Sequence, residues 1–171
     1  SDAEKRQHYF DGIEHQVKHM AHLIERLLLM ARLDAGAEFE LQDVKVDTLI
    51  RNVVARFLPD AQVKGVLLTV QLSDALPLVH VDEQEMRQAL GEILDNAITF
   101  TPEGGTVTIR AEVAENVVVI SVHDTGPGIP AEDLPHIFKR LYRGDTARST
   151  ERGAVGLGLS IAKQIVELHQ G

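Results

Sequence analysis

Three groups of residues have types and spacings suited to chemistry. The first lies in DTGPGIP, residues 124–130. Asp124 follows an alternating apolar run, VVVISVH, and so stands at the end of a strand that the pattern makes buried. A carboxylate accepts hydrogen bonds only, which would suit an exocyclic amino group such as that of adenine. Gly126 and Gly128 let the backbone turn sharply and leave room for a flat ligand. Taken alone, the stretch reads more simply as an Asx-turn closing a strand. The second group is Glu92 and Asn96, four apart and therefore on one helix face, with Gln88 extending the stripe. An Asn oxygen can hold Mg²⁺, and a Glu one turn away can polarise a water or support the ion from behind. An isolated spacing of this kind is ordinarily a solvated helix face. The third group is GLGLS, residues 156–160, where glycines at a helix start would bare N–H groups to an anion. Close helix packing through glycine is the alternative.

These groups need elements to hold them. Residues 3 to about 35 read as one long helix, with Ile13, Val17, Met20, Ile24, Leu27 and Ala31 at alternating spacings of four and three. That is a coiled-coil seam, widened by Leu23, Leu28 and Met30, and it needs a partner such as a second copy. Gly36 is placed to cap its end. A polar linker, 37–46, leads to a second helix with Asp47 as its N-cap. Strands are expected at 66–72 and 78–81. A third helix runs from Asp82 to about Phe100, with Glu85 placed for a near capping box and Met86, Leu90, Ile93, Leu94 and Ala97 facing the core. Residues 106–113 and 116–123 form an antiparallel hairpin. A short helix follows around 131–138, and the last helix starts at GLGLS. Between the Asp124 turn and that helix lies a long basic loop carrying Lys139, Arg140, Arg143, Arg148 and Arg152, charges suited to a polyphosphate. Helices followed by mixed strands and helices, without regular βαβ alternation, predict an α+β two-layer sandwich.

Composition narrows the classes. The 171 residues are 44% hydrophobic and 25% charged, as in an ordinary globular protein. A formal net charge of −9 argues against broad attraction to nucleic acid or anionic lipid. With no cysteine there is no disulfide and no thiolate chemistry. No apolar run approaches the roughly 20 residues of a membrane span.

Order and spacing carry more than the pieces do. E-x-x-x-N-A, then D-T-G-x-G-I, then a basic lid, then G-x-G-L-S resembles the ATP-binding domain shared by sensor histidine kinases, DNA gyrase and related ATPases, the Bergerat fold. Within that group, ILDNAITFTPEGG resembles the N box of histidine kinases, DTGPGIP the G1 box, IFKRLYRG the F box, and VGLGLSIAKQIVELHQG the G2 box. The first helix and its ARLDAG end look like the second helix of the family's dimerisation and phosphotransfer bundle.

The resemblance implies a mixed sheet with helices on one face, residues 1–36 as part of the bundle, and residues 47–171 as the catalytic domain. It implies ATP and Mg²⁺, the metal on Asn96. Asp124 would accept from the adenine amino group, with Gly126, Gly128 and Ile129 shaping the base pocket and Phe100 packing on the ring. Arg140, Tyr142 and Arg143 of the F box and the backbone of Gly156, Leu157, Gly158 and Leu159 would meet the phosphates. It also implies a homodimer through the first helix, a response-regulator receiver domain as partner, and a cytoplasmic domain of a membrane-anchored parent. Glu92 stands where the family usually has Asn, which leaves it ambiguous between base and supporting group. Thr99 replaces a frequent Lys, and Ala154-Val155 a usual Gly-Thr.

None of the eight histidines has the family's acceptor context. His15, His19 and His22 form a stripe that could hold a metal but reads more simply as a solvated flank. The expectation is therefore a piece of a longer parent, with the acceptor histidine on a preceding helix and a further strand beyond HQG. Two other readings stay open: an ATPase using Glu92 as base, and a nucleotide-dependent interaction module without chemistry.

Overall fold

The computed structural model describes residues 2–144 and 155–171. In chain order its elements are α1 (Asp2–Asp34), β1 (Gln42–Lys45), α2 (Val46–Lys64), β2 (Leu67–Leu72), β3 (Leu78–Val81), α3 (Glu83–Phe100), β4 (Thr106–Ala114), β5 (Val117–Asp124), a single 3-10 turn (Leu134–His136) and α4 (Gly158–Leu168). β4 and β5 form the expected hairpin, Ala114 opposite Val117, closed by a two-residue turn with Glu115 at φ +57°. β2 adds to β4 in parallel, so the sheet is mixed. β1 and β3 pair antiparallel as a separate ribbon. The expected α+β class, with a mixed sheet covered by helices, is what the chain adopts.

Alternation in β4 buries Val107, Ile109 and Ala111 on one side. Onto them pack Leu49, Ile50, Val53 and Val54 of α2 and Leu90, Leu94, Ala97 and Ile98 of α3. A second core lies on the other flank of α3. There Ala89 and Ile93 meet Met30 and Leu33 of α1 and Leu157, Ile161, Ala162 and Ile165 at and within α4. α3 is thus covered on two sides. The single core-facing stripe read from the sequence therefore divides, Leu90, Leu94 and Ala97 to the first core and Ile93 to the second, and Glu92, open there between site residue and solvated face, is buried.

Local chemistry fixes both ends of α3. Asp82 Oδ1 accepts from the N–H groups of Gln84 and Glu85 at 3.0 and 3.1 Å, the expected N-cap. The capping box is not completed by Glu85, which instead pairs with Arg32 of α1. The Asp82 N–H donates to His169 Nε2 at 3.1 Å. His169 Nδ1 lies 2.7 Å from the Ile165 carbonyl, so Nδ1 carries the proton and Nε2 is free to accept. The ring stacks on Phe39, centroids 4.4 Å apart. At the other end, Lys64 donates to the carbonyls of Ile98, at 2.7 Å, and Thr99.

Elsewhere the expectations need adjusting. α2 has Lys45 at its N-cap position without a side-chain bond, because β1 runs directly into the helix through the segment read as a linker. Asp47 sits in the first turn and accepts from Arg51 Nε at 3.0 and 3.1 Å. The helix expected at 131–138 is one 3-10 turn containing Pro135, which supplies no N–H. α1 ends at Gly36 as expected. Its seam residues Ile13, Val17, Met20, Ile24 and Leu27 are each more than half exposed, whereas Met30 turns into the second core.

Leu94 is fully buried where the two helices meet the sheet. Leu94→Ala should lower stability by about 2–5 kcal/mol in urea titration. Val63→Ala, at a site 84% exposed, should stay within about 0.5 kcal/mol.

Candidate functional site

The turn after β5, the C-terminal half of α3 and the start of α4 enclose a cavity of about 320 Å³. Asp124 lines it from the end of β5, and Asn96 and Phe100 from successive turns of α3. Gly128, Ile129, Pro127 and Pro130 form the rim beside Asp124. Asp124 is exposed to the cavity rather than buried. Its Oδ1 accepts the Gly126 N–H at 2.8 Å, so the Asx-turn is real. That bond orients the carboxylate without consuming its acceptor capacity.

The opposite wall is the start of α4. Leu157, at the N-cap position, gives no side-chain bond to the helix, and Gly158 and Leu159 of its first turn line the cavity. Leu157 is itself buried and anchors the turn in the second core. Gly156 has φ +74°, and a Cβ there would strike the Tyr142 carbonyl. Leu141 donates its N–H to the Gly156 carbonyl at 2.9 Å. This contact ties the two stems of the long loop together. Tyr142 donates to Asp133 Oδ1 at 2.6 Å, fixing its ring on the cavity wall.

Between the walls lies Glu92, only 4% exposed. Oε1 accepts from Arg26 Nε at 3.0 Å and from Gln88 Nε2 at 2.8 Å. Oε2 lies 2.7 Å from Arg26 Nη2, without hydrogen-bond alignment. Gly158 leaves room for it: a Cβ there would sit 2.7 Å from Oε2. Arg26 Nη2 also donates to Asp95 at 3.2 Å. Burial opposes the charge on Arg26, but the two carboxylates outweigh it and raise its pKa.

Residues 81–171 match the profile of the Histidine kinase-, DNA gyrase B-, and HSP90-like ATPase family. The chain belongs to this family. It is 36% identical over 170 residues to the sensor protein DivL of Caulobacter vibrioides, covering 99% of this chain and 21% of that protein. It is 35% identical over 159 residues to the sensor histidine kinase YkoH of Bacillus subtilis, covering 93% and 34%. The chain therefore spans about a fifth to a third of these curated relatives. Among solved structures it resembles full-length ShkA in complex with AMPPNP, with a TM-score of 0.75, 33% identity, and coverage of 88% of this chain and 31% of that one. It also resembles the catalytic domain of the histidine kinase ThkA, with a TM-score of 0.65, 28% identity, and coverage of 75% and 80%.

In this member of the family, most of the expected site residues meet at one cavity. Glu92, Asn96, Phe100, Asp124, Gly128, Ile129, Tyr142, Arg143, Gly156, Gly158 and Leu159 line it. Gly126, Arg140 and Leu157 do not. Gly126 acts through its N–H on Asp124, and Leu157 through its anchor. Arg148, Arg152 and Ala154 lie outside the described residues, as do the side chains of His15 and His19. Among the described residues no three His, Asp or Glu side chains converge as a metal cage. A hard cation would find the Asn96 amide on the cavity wall beside Asp95.

Arg140 is engaged elsewhere. Its guanidinium donates to both oxygens of Asp34, at 2.7 and 2.5 Å, and to Gln164 at 3.3 Å. Gln164 in turn donates to Asp34 Oδ1 at 2.9 Å. The segment around Arg140 is thereby fastened to the end of α1. Arg26 and Asp34 are site-shaping residues that the sequence reading missed; both sit on α1 beside, not within, its apolar seam.

Hydrogen bonds from Arg140 and Gln164 hold the Asp34 carboxyl down at about 2, below its ordinary 3.8. A depressed folded pKa means the latch is complete above 3.8 and is lost as pH falls through about 2. Its contribution should be flat from about pH 5 to 9 and weaken with salt. Carboxyl NMR titration should find this low midpoint, and Arg140→Ala should return it toward 3.8.

Proposed function

We propose that this chain is the ATP-binding catalytic portion of a sensor histidine kinase. Its γ-phosphoryl group would pass to a histidine on a helix other than those described, and from there to an aspartate of a response-regulator receiver domain. One observation carries the reading: Asp124 and the start of α4, uncapped by any side chain, line the same cavity. An acceptor for the adenine amino group thus faces one end, and N–H donors for phosphate the other. Ile129 and Phe100 supply apolar surface for the base, and Arg143 a cation near the phosphates.

The cavity fits Mg²⁺ only together with nucleotide, since Mg²⁺ normally completes its shell with phosphate oxygens and water. Asn96 would hold it, and the ion would neutralise charge on the terminal phosphates. The chain's own residues then position the nucleotide; catalysis is mostly placement and electrostatics. The exposed seam of α1 suits pairing with a second copy in the parent, which we place at the cytoplasmic face of a membrane. A second reading, ATP hydrolysis with Glu92 as base, is favoured by the burial of Glu92 in the cavity wall four residues before Asn96.

Calorimetry with Mg-ATP tests the site. Wild type should bind, and Asp124→Asn should weaken binding by about tenfold or more, because an amide nitrogen then meets the adenine donor. Asn96→Ala should lose the Mg²⁺ dependence while keeping affinity for metal-free nucleotide. Equal binding in all three proteins would sink the assignment. Incubated alone with γ-labelled ATP, the chain should take no label on its histidines; stable label there would contradict an acceptor outside the described helices.

A further inference from the structure

Glu92 is poised for water chemistry and yet occupied. Its carboxylate lines the cavity but is held by Arg26 and Gln88. Arg26 is not part of the cavity's own fold. It comes from α1, lies 66 residues away in sequence, and reaches Glu92 only because Met30 and Leu33 dock α1 onto α3 and α4. With Arg26 and Gln88 both donating to Oε1, and the guanidinium also 2.7 Å from Oε2, the carboxylate is held in place by protein groups.

We propose that α1 suppresses ATP hydrolysis in this chain through Arg26. With α1 docked, Glu92 is held and bound ATP is kept for transfer. With α1 displaced, Glu92 is released to act as base. In that step a water oxygen attacks the γ-phosphorus and its proton passes to the Glu92 carboxylate. The bond from phosphorus to the β–γ bridging oxygen breaks, and ADP and orthophosphate leave. Arg26 is then a positioning residue, acting on the nucleotide through Glu92. The inference rests on the nucleotide-site reading above. It assigns Glu92 both roles the sequence left open, supporting group or base, according to where α1 lies. The second arm of Arg26, to Asp95 at 3.2 Å, holds the guanidinium in register when Glu92 alone would let it swing.

The test is phosphate release from Mg-ATP by wild type, Arg26→Ala, Arg26→Gln, Arg26→Lys, and Arg26→Ala combined with Glu92→Gln. Binding of Mg-ATP is measured on the same samples, and circular dichroism confirms folding. Arg26→Gln is included because it removes the cation while keeping side-chain bulk and an N–H donor beside the buried carboxylate. Wild type should release phosphate slowly. Arg26→Ala and Arg26→Gln should accelerate release at least about tenfold, a fraction of what a freed general base can supply. Arg26→Lys should restore suppression, and the double variant should fall back to the wild-type rate. If the Arg26 variants bind Mg-ATP with no gain in release, the inference is overturned. It is equally overturned if the double variant is as fast as Arg26→Ala. If no protein binds Mg-ATP, the nucleotide-site reading falls, and this inference with it.

Discussion

A buried carboxylate on α3 constrains everything around it. Glu92 is enclosed by helices on a face that would otherwise be apolar. A charge removed from water must be paired, and losing one partner of such a pair costs roughly 3–5 kcal/mol. The partner cannot come from the sheet side, which is filled by aliphatic side chains. It comes from α1. Gly158, at the start of α4, lies against the same group, where an added Cβ would sit 2.7 Å from Oε2.

α1 serves two surfaces at once. Met30 and Leu33 are buried against α4, and Arg26, Arg32 and Asp34 pair with Glu92, Glu85 and Arg140. The seam from Ile13 to Leu27 points elsewhere and stays exposed. A helix can do this because spacings of four and three lay down a stripe about 100° wide, leaving the rest of the circumference for another partner. The apolar contacts supply most of the docking energy. The ion pairs set its register: Arg26 and Asp34 are eight residues apart, so a slip of α1 along its axis would break both.

The sequence revealed those parts of the structure whose determinants are local. The hairpin, the cap at Asp82, the end of α1 and the Asx-turn at Asp124 follow from alternation, turn chemistry and short-range hydrogen bonds. The four boxes identified most of the cavity's lining. What escaped was set by distance. Periodicity assigns a helix one buried face, and α3 has two, so the one core-facing stripe divides: Ile93 packs on the second core while Leu90, Leu94 and Ala97 pack on the first. Arg26 and Asp34 carry no motif, and nothing local distinguishes them from other charges on a long polar helix. The box reading gives Arg140 a phosphate to meet; in the structure it is paired with Asp34, 106 residues earlier, and does not line the cavity. The signal available was a pairing of opposite charges on α1 with the two chemical boxes. One sequence cannot supply it without the docking geometry.

The same geometry joins the loop to the helix. Arg140 precedes the loop, and the Leu141–Gly156 bond closes its stems. Asp34 therefore holds, beyond the Arg140 side chain, the stem where Leu141 meets Gly156. Arg26 holds Glu92 in the cavity lining, eight residues earlier on the same helix. Both clasps draw on α1, whereas the turn at Asp124 and Gly126 is closed by its own hydrogen bond. A displacement of α1 would break the pairs at Glu92 and Arg140, while the hydrogen bond that closes the Asp124 turn is local and would stay. The first helix is in this way linked by two ion pairs to the cavity lining at Glu92 and to the stem at Arg140, with no rearrangement of the sheet.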